Sequence, residues 1–167
     1  MNKRNIILIG MPGAGKSSGG VILAKVLGYE FIDTDLVIQH REKRLLREII
    51  ADEGNEGFLA IENEVNATLE ADKSVIAPGG SAIYGKEAME HFKEIGTIVY
   101  LKLSYEDLAK RLGNLKGRGV VLKEGQTLKD LYDERSKLYE QYAEITVDES
   151  GKDIQGTILA LREQIGM

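Results

Sequence analysis

The segment Gly10-Met-Pro-Gly-Ala-Gly-Lys16-Ser17 sets an ammonium and a hydroxyl directly behind a glycine turn. The spacing G-x-x-x-x-G-K-[ST] is supplied by Gly10, Gly15, Lys16 and Ser17. Glycines at these places let successive backbone N–H groups turn inward around phosphate oxygens at the start of a helix. Lys16 can then reach the outer phosphates of a nucleoside triphosphate, and the Ser17 hydroxyl can ligate magnesium. Gly13, Ala14, Gly15, Lys16, Ser17 and Ser18 are therefore the expected nucleotide contacts. A second pair of groups, Asp33 and Asp35, flanks Thr34 behind the apolar run Tyr29-Glu-Phe-Ile32. Strand alternation would point both carboxylates to one side, at the sheet edge where the phosphates lie. One carboxylate can hold magnesium through its water shell, while the other orients a hydroxyl and takes its proton during phosphoryl transfer. Taken alone, two such aspartates read as strand-end caps or solvated charges; behind a phosphate loop the chemical reading is favoured.

The elements that must hold these groups are visible in the spacing of apolar residues. Asn5-Ile-Ile-Leu-Ile9 is a short continuous apolar run, as expected of a strand buried on both faces of a parallel sheet. Val21, Ile22, Leu23, Val26 and Leu27 then follow helical spacing, with Gly28 placed to stop the helix. Further strands are predicted at Tyr29–Ile32, Ser74–Ala77, Thr97–Leu101 and Glu144–Val147. Helices are predicted from about Leu36 to Ala71 with a break near Gly54 to Gly57, and over Glu87–Glu94, Tyr105–Leu112, Leu128–Tyr142 and Ile154–Ile165. This alternation implies a three-layer α/β/α domain over residues 1–167 with a mostly parallel sheet. Between the last two helices but one, Gly113-Asn-Leu-Lys-Gly117-Arg118-Gly119 is glycine-rich and basic and reads as a mobile loop.

Composition narrows the partners. The 167 residues are 43% hydrophobic and 29% charged, which suits one folded domain. A net charge of -5 provides no global field for nucleic acid or acidic membranes, so phosphate binding must be local. Cysteine is absent, which removes disulfides and thiolate chemistry and fits a reducing compartment. The apolar run Ile6–Ile9 is too short for a signal or a membrane span, so a cytoplasmic location without a membrane partner is expected; a monomer without a nucleic-acid partner is the accompanying expectation. His40 and His91 lack metal-ligand spacing and are read as surface residues.

In order along the chain, Gly10 to Ser18, Phe31-Ile-Asp33-Thr-Asp35, Gly79-Gly80, Arg118 and Arg135-Ser-Lys-Leu-Tyr139 resemble the shikimate kinase family, over nearly the whole length. The resemblance implies a P-loop NTPase fold of nucleoside-kinase-like type, with a mobile lid over about 112–124. It also implies transfer of the γ-phosphate of ATP, with Mg2+, to a hydroxyl of shikimate, giving shikimate 3-phosphate. Lys16, Asp35 and Arg118 would be catalytic, and Asp33 with Ser17 would serve the metal. Gly79, Gly80 and Arg135 would join Asp35 in binding the acceptor, Arg135 through the acceptor's carboxylate. Arg118 would be the lid arginine, and Arg111 would stack on adenine. Read from the residues alone, Arg118 among glycines has no packing reason to be there, although a solvated loop charge is the plainer alternative. Arg111, Arg135 and Lys137 could equally belong to polar helix faces.

The acceptor half departs from the family pattern. Where the family carries Phe-Arg-x-x-Glu, this chain has Phe58-Leu59-Ala60-Ile61-Glu62. The family's triple glycine is Gly79-Gly80-Ser81, its lid Arg-Pro-Leu-Leu is Arg118-Gly119-Val120-Val121, and its Arg-x-Pro-Leu-Tyr is Arg135-Ser136-Lys137-Leu138-Tyr139. Leucine makes none of the charge-assisted hydrogen bonds of a guanidinium, and no compensating arginine stands nearby in sequence: Ala60 is also apolar, and the nearest earlier arginines are Arg41, Arg44 and Arg47. Either shikimate binds roughly 10 to 100-fold more weakly, or the acceptor is another hydroxylated acid. An ATP-binding regulatory module without transfer activity is the alternative from a different class.

Overall fold

The computed structural model describes residues 3–113 and 124–166. Five strands, β1 (Asn5–Ile9), β2 (Glu30–Asp33), β3 (Ser74–Ala77), β4 (Gly96–Lys102) and β5 (Ile145–Asp148), form one sheet in the order β2-β3-β1-β4-β5. Every pairing is parallel, so the mostly parallel sheet expected from the sequence is parallel throughout its described strands. Among the described residues seven α-helices flank the sheet: α1 (Lys16–Leu27), α2 (Thr34–Glu42), α3 (Leu46–Ala67), α4 (Lys86–Ile95), α5 (Tyr105–Gly113), α6 (Leu128–Tyr142) and α7 (Ile154–Ile165). Among the described residues no helix is long and apolar enough to cross a membrane.

The central strand β1 is buried along its whole length, and its alternation divides the core. Ile7 and Ile9 face Ile76, Phe92, Ile98, Tyr100, Leu131 and Tyr139 on one side. Ile6 and Leu8 face Leu23, Val75, Val99, Val147, Ile158 and Leu161 on the other. Burying each such aliphatic side chain contributes about 1.5–3 kcal/mol, so β1 is firmly anchored and a rigid base for the loop behind it. A separate cluster of Ile38, Ile49, Phe58 and Val65 joins α2 to α3.

Of three local findings, the first and last differ from the sequence reading and the second bears it out. In α1 the buried face is Gly19, Gly20, Leu23 and Ala24, whereas Val21 and Val26 are about half exposed. Small residues let α1 lie close to the sheet, which apolar periodicity alone does not reveal. The break expected near Gly54 to Gly57 is present: α3 is two helical stretches that meet at a kink, where Gly54 takes φ 73° and ψ 176°. Thirdly, α2 begins at Thr34, so Asp35 stands in the first turn of a helix and not on a continuing strand. Of the lid expected over about 112–124, residues 114–123 lie outside the described residues, Arg118 among them.

Candidate active site

Because β1 lies between β3 and β4, the carboxyl ends of β1, β2 and β3 open onto one crevice, the place where open parallel sheets bind ligands. Each strand there delivers one part of a single cavity of about 1010 Å³. The phosphate loop follows β1, Asp33 ends β2, and Pro78-Gly79-Gly80 follows β3.

The phosphate loop is shaped before any phosphate arrives. Gly15 holds the left-handed φ of 81° that turns the chain into α1, and Gly13 holds φ 91°. The Lys16 ammonium is buried and donates to the carbonyls of Gly10 at 2.6 Å and Met11 at 2.9 Å. Burial lowers its pKa to about 8, opposed chiefly by the negative charge of Asp35. Ser17 and Ser18 are exposed at the start of α1 and line the cavity with Gly13 and Gly15, while Ala14 is fully buried in the core behind them. Arg111 is not a merely solvated helix charge: its Nη1 donates to the Gly13 carbonyl at 2.9 Å, and it too lines the cavity.

Asp33 caps α2, its Oδ1 accepting the Asp35 backbone N–H at 3.0 Å. The cap and the chemical role proposed for this residue are therefore compatible, because Oδ2 has no hydrogen bond among the described residues. Both carboxylates line the cavity, Asp33 from the end of β2 and Asp35 from the first turn of α2, so strand alternation does not place the pair. Burial first, and then the charge of Asp33, raises the Asp35 pKa to about 6, with Lys16 opposing.

The far end of the cavity is built around Gly79 and Gly80. A side chain at Gly79 would stand 3.0 Å from Glu62 Oε2 and 3.1 Å from Asp35 Oδ1, so the bare backbone is what lets these two acids approach. At Gly80 a Cβ would meet Pro12 Cδ at 2.8 Å and Arg135 Nη1 at 2.9 Å. Arg135 is 3% exposed, which sets aside the polar-helix-face reading, and its guanidinium lies over the Tyr84 ring, 5.6 Å from the centroid. Lys137, by contrast, is exposed. One helical turn beyond Arg135, the buried Tyr139 hydroxyl donates to the Gly80 carbonyl at 2.7 Å. Tyr139→Phe should thus cost about 1–3 kcal/mol by leaving that carbonyl unpaired, read as a lower midpoint in denaturant. An unchanged midpoint would mean that the Gly80 turn is held by other contacts.

Several cavity residues were not assigned a role from sequence. Glu62 is buried, its Oε1 accepting from Ser81 Oγ at 2.7 Å. Burial raises its carboxyl to about 7; Asp35 adds to the rise, while the Ser81 hydrogen bond and the Arg135 charge oppose it. Glu149, just past β5, stands near Gly15 and is raised to about 7 by burial, with Arg111 and Lys16 opposing. Lys152, Asp153 and Ile154 continue the wall on this nucleotide side, and Arg47 and Phe58 line the cavity from α3. The one available signal was positional: β5 ends at the same edge of the sheet as β1. Leu59 packs with the Ile38, Ile49, Phe58 and Val65 cluster and is absent from the cavity wall.

A phosphate cradle, an acid at about neutral pKa and a buried guanidinium around one cavity form the outline of a kinase, and the family follows from comparison. The shikimate kinase family model matches residues 12–165. The chain belongs to the shikimate kinase family. A shikimate kinase of Vibrio cholerae is 36% identical to it, the alignment covering 97% of each chain. Among solved structures, the shikimate kinase of Acinetobacter baumannii in complex with shikimate superposes with a TM-score of 0.79 at 33% identity, covering 96% of this chain and 89% of that one. The shikimate kinase of Bacteroides thetaiotaomicron gives 0.80 at 27% identity, over 98% of each. As a shikimate kinase family member, the chain is a phosphotransferase with an alcohol group as acceptor and the P-loop α/β fold expected from its sequence.

Proposed function

We propose that the chain transfers the γ-phosphate of ATP to a hydroxyl of shikimate. The observation that carries this reading is the continuity of one cavity from the phosphate loop to Asp35, Glu62, Gly79, Gly80 and Arg135. The loop N–H groups and Lys16 hold the triphosphate, Arg111 and the wall from Lys152 to Ile154 flank its base, and Arg135 takes the acceptor's carboxylate. The acceptor hydroxyl oxygen attacks the γ-phosphorus, its proton passes to the Asp35 carboxylate, and the bond from the γ-phosphorus to the bridging oxygen breaks to release ADP. Gly79 and Gly80 bring their backbone close to the acceptor, and Arg118 supplies a further guanidinium to the transferring group.

Magnesium fits the oxygens present. Among the described residues no group of three or more histidines, aspartates and glutamates converges on a metal site. Ser17 and Asp33 would thus be the protein's share of the shell, with phosphate oxygens and water completing it, as is usual for this ion. Bound there, magnesium would neutralise charge on the β- and γ-phosphates.

Leu59 sustains a second reading, an acceptor other than shikimate. The two separate in a coupled ADP-release assay with ATP and Mg2+ against shikimate, other hydroxylated acids and neutral polyols. Saturable ADP release with shikimate is expected. Saturable turnover of a different acid with none on shikimate would establish the second reading instead, and tight ATP binding without turnover of any acceptor would leave a regulatory module.

A further inference from the structure

Arg47 occupies the second position of α3, next to Leu46 and one turn before Ile50, and all three line the cavity. This start of α3 is fixed, because the Leu46 backbone N–H donates at 3.0 Å to Oε1 of Gln39, itself in the cavity wall. A cation in the first turn of a helix sits at the positive end of the helix dipole and costs stability there. Its neighbours on the same surface are paired: Arg41 with Glu64 at 3.0 Å, and Arg44 with Glu42 at 3.1 Å and Asp52 at 3.2 Å. Arg47 is exposed at the cavity and makes no hydrogen bond or ion pair with the described residues. Neither helix stability nor a surface ion pair therefore accounts for its charge.

The charge balance of the acceptor end supplies the reason. Asp35 and Glu62 both line the space into which an anionic acceptor must enter. Of the two buried cations among the described cavity residues, Lys16 is held by the phosphate-loop carbonyls, which leaves Arg135 at the acceptor end. Leu59, turned into its apolar cluster, adds nothing. A carboxylate entering beside these acids gains from positive charge beyond that of Arg135, and a guanidinium offers it two parallel hydrogen bonds. We propose that Arg47 is the second carboxylate-binding group of this chain, a specificity-determining residue that selects anionic over neutral hydroxylated acceptors.

This rests on the acceptor being shikimate or a similar carboxylate. The test compares steady-state kinetics of the wild-type chain and Arg47→Gln with shikimate and with its uncharged methyl ester. For shikimate the substitution should raise KM about 10 to 100-fold, while kcat and the KM for ATP stay within about twofold. For the ester the two proteins should have the same KM, since the charge that Arg47 meets is gone. Arg47→Lys should fall between them, keeping the charge without the fork. The melting temperature of Arg47→Gln should equal or exceed that of the wild type; if it falls, Arg47→Lys, which retains the charge at the helix start, decides in its place. An unchanged shikimate KM, or an equal rise for shikimate and ester, overturns the assignment. If wild-type protein releases no ADP with shikimate, it is the proposed function that fails, and this assignment with it.

Discussion

Asp35→Asn should keep the ATP affinity of the wild-type protein and lose about 10² to 10⁴-fold in turnover, the usual worth of a positioned general base. Asparagine preserves shape but cannot accept the hydroxyl proton, so the loss should lie in kcat and not in nucleotide binding. Turnover within tenfold of wild type would remove Asp35 from the chemistry. The carboxyl is raised to about 6 by burial and by Asp33, so wild-type kcat/KM should fall as pH drops through about 6 and the base fills with its proton. The same raised value makes a stability statement. Above about pH 6 the folded protein holds a charged, partly desolvated carboxylate that the unfolded chain solvates freely, which is a net cost. As pH falls from about 6 towards the unfolded value of 3.8, that cost disappears. Asp35→Asn should accordingly be more stable than wild type at pH 8, by about 1–3 kcal/mol, and lose this advantage near pH 4.

The strands and helices were legible because this fold is written in short apolar runs and helical periods. β1, β3, α6 and α7 match the sequence reading residue for residue. The phosphate loop and Asp33 to Asp35 were legible for a related reason, each being a contiguous segment whose spacing is its chemistry. Arg47, Glu62 and Glu149 were not, because each acquires meaning only from partners far along the chain. Glu62 faces Ser81 and Asp35 only after β2 and β3 pair, and Glu149 reaches Gly15 only because β5 closes the sheet two strands from β1. The face of α1 was misread because glycines at positions 19 and 20, not its β-branched residues, lie against the sheet. Close packing by small residues leaves no hydrophobic period to detect. Leu59 illustrates the converse case, a departure visible in sequence whose consequence is not. Only the fold shows that Leu59 joins an apolar cluster while a different arginine stands at the cavity.

Lys16→Met should abolish most of the activity without unfolding the protein. The Lys16 ammonium now spends its hydrogen bonds on the Gly10 and Met11 carbonyls, which hold it, buried, inside the loop it serves. With a pKa of about 8 it is mainly charged at pH 7, and it can exchange those carbonyls for phosphate oxygens at small cost. Methionine fills similar space but leaves the developing charge on the transferring phosphate unmatched. A fall in kcat of about 10² to 10³-fold is expected, the scale for one preorganised donor in a water-poor site. Stability should change little. Two hydrogen bonds of roughly 1 kcal/mol each are lost, but so is a desolvated cation whose depressed pKa marks it as a cost below about pH 8. Thermal unfolding at pH 7 with parallel turnover measurements checks both halves; a kcat within tenfold of wild type would remove Lys16 from transition-state stabilisation. The same residue sets the alkaline side of the wild-type profile. In the free enzyme Lys16 deprotonates near pH 8, so kcat/KM should decline there, opposite the Asp35 limb near 6. Phosphates bound against the ammonium favour its charged form, so the alkaline limb of kcat should lie higher than that of kcat/KM. Coinciding limbs would mean that Lys16 gains no contact with the bound triphosphate.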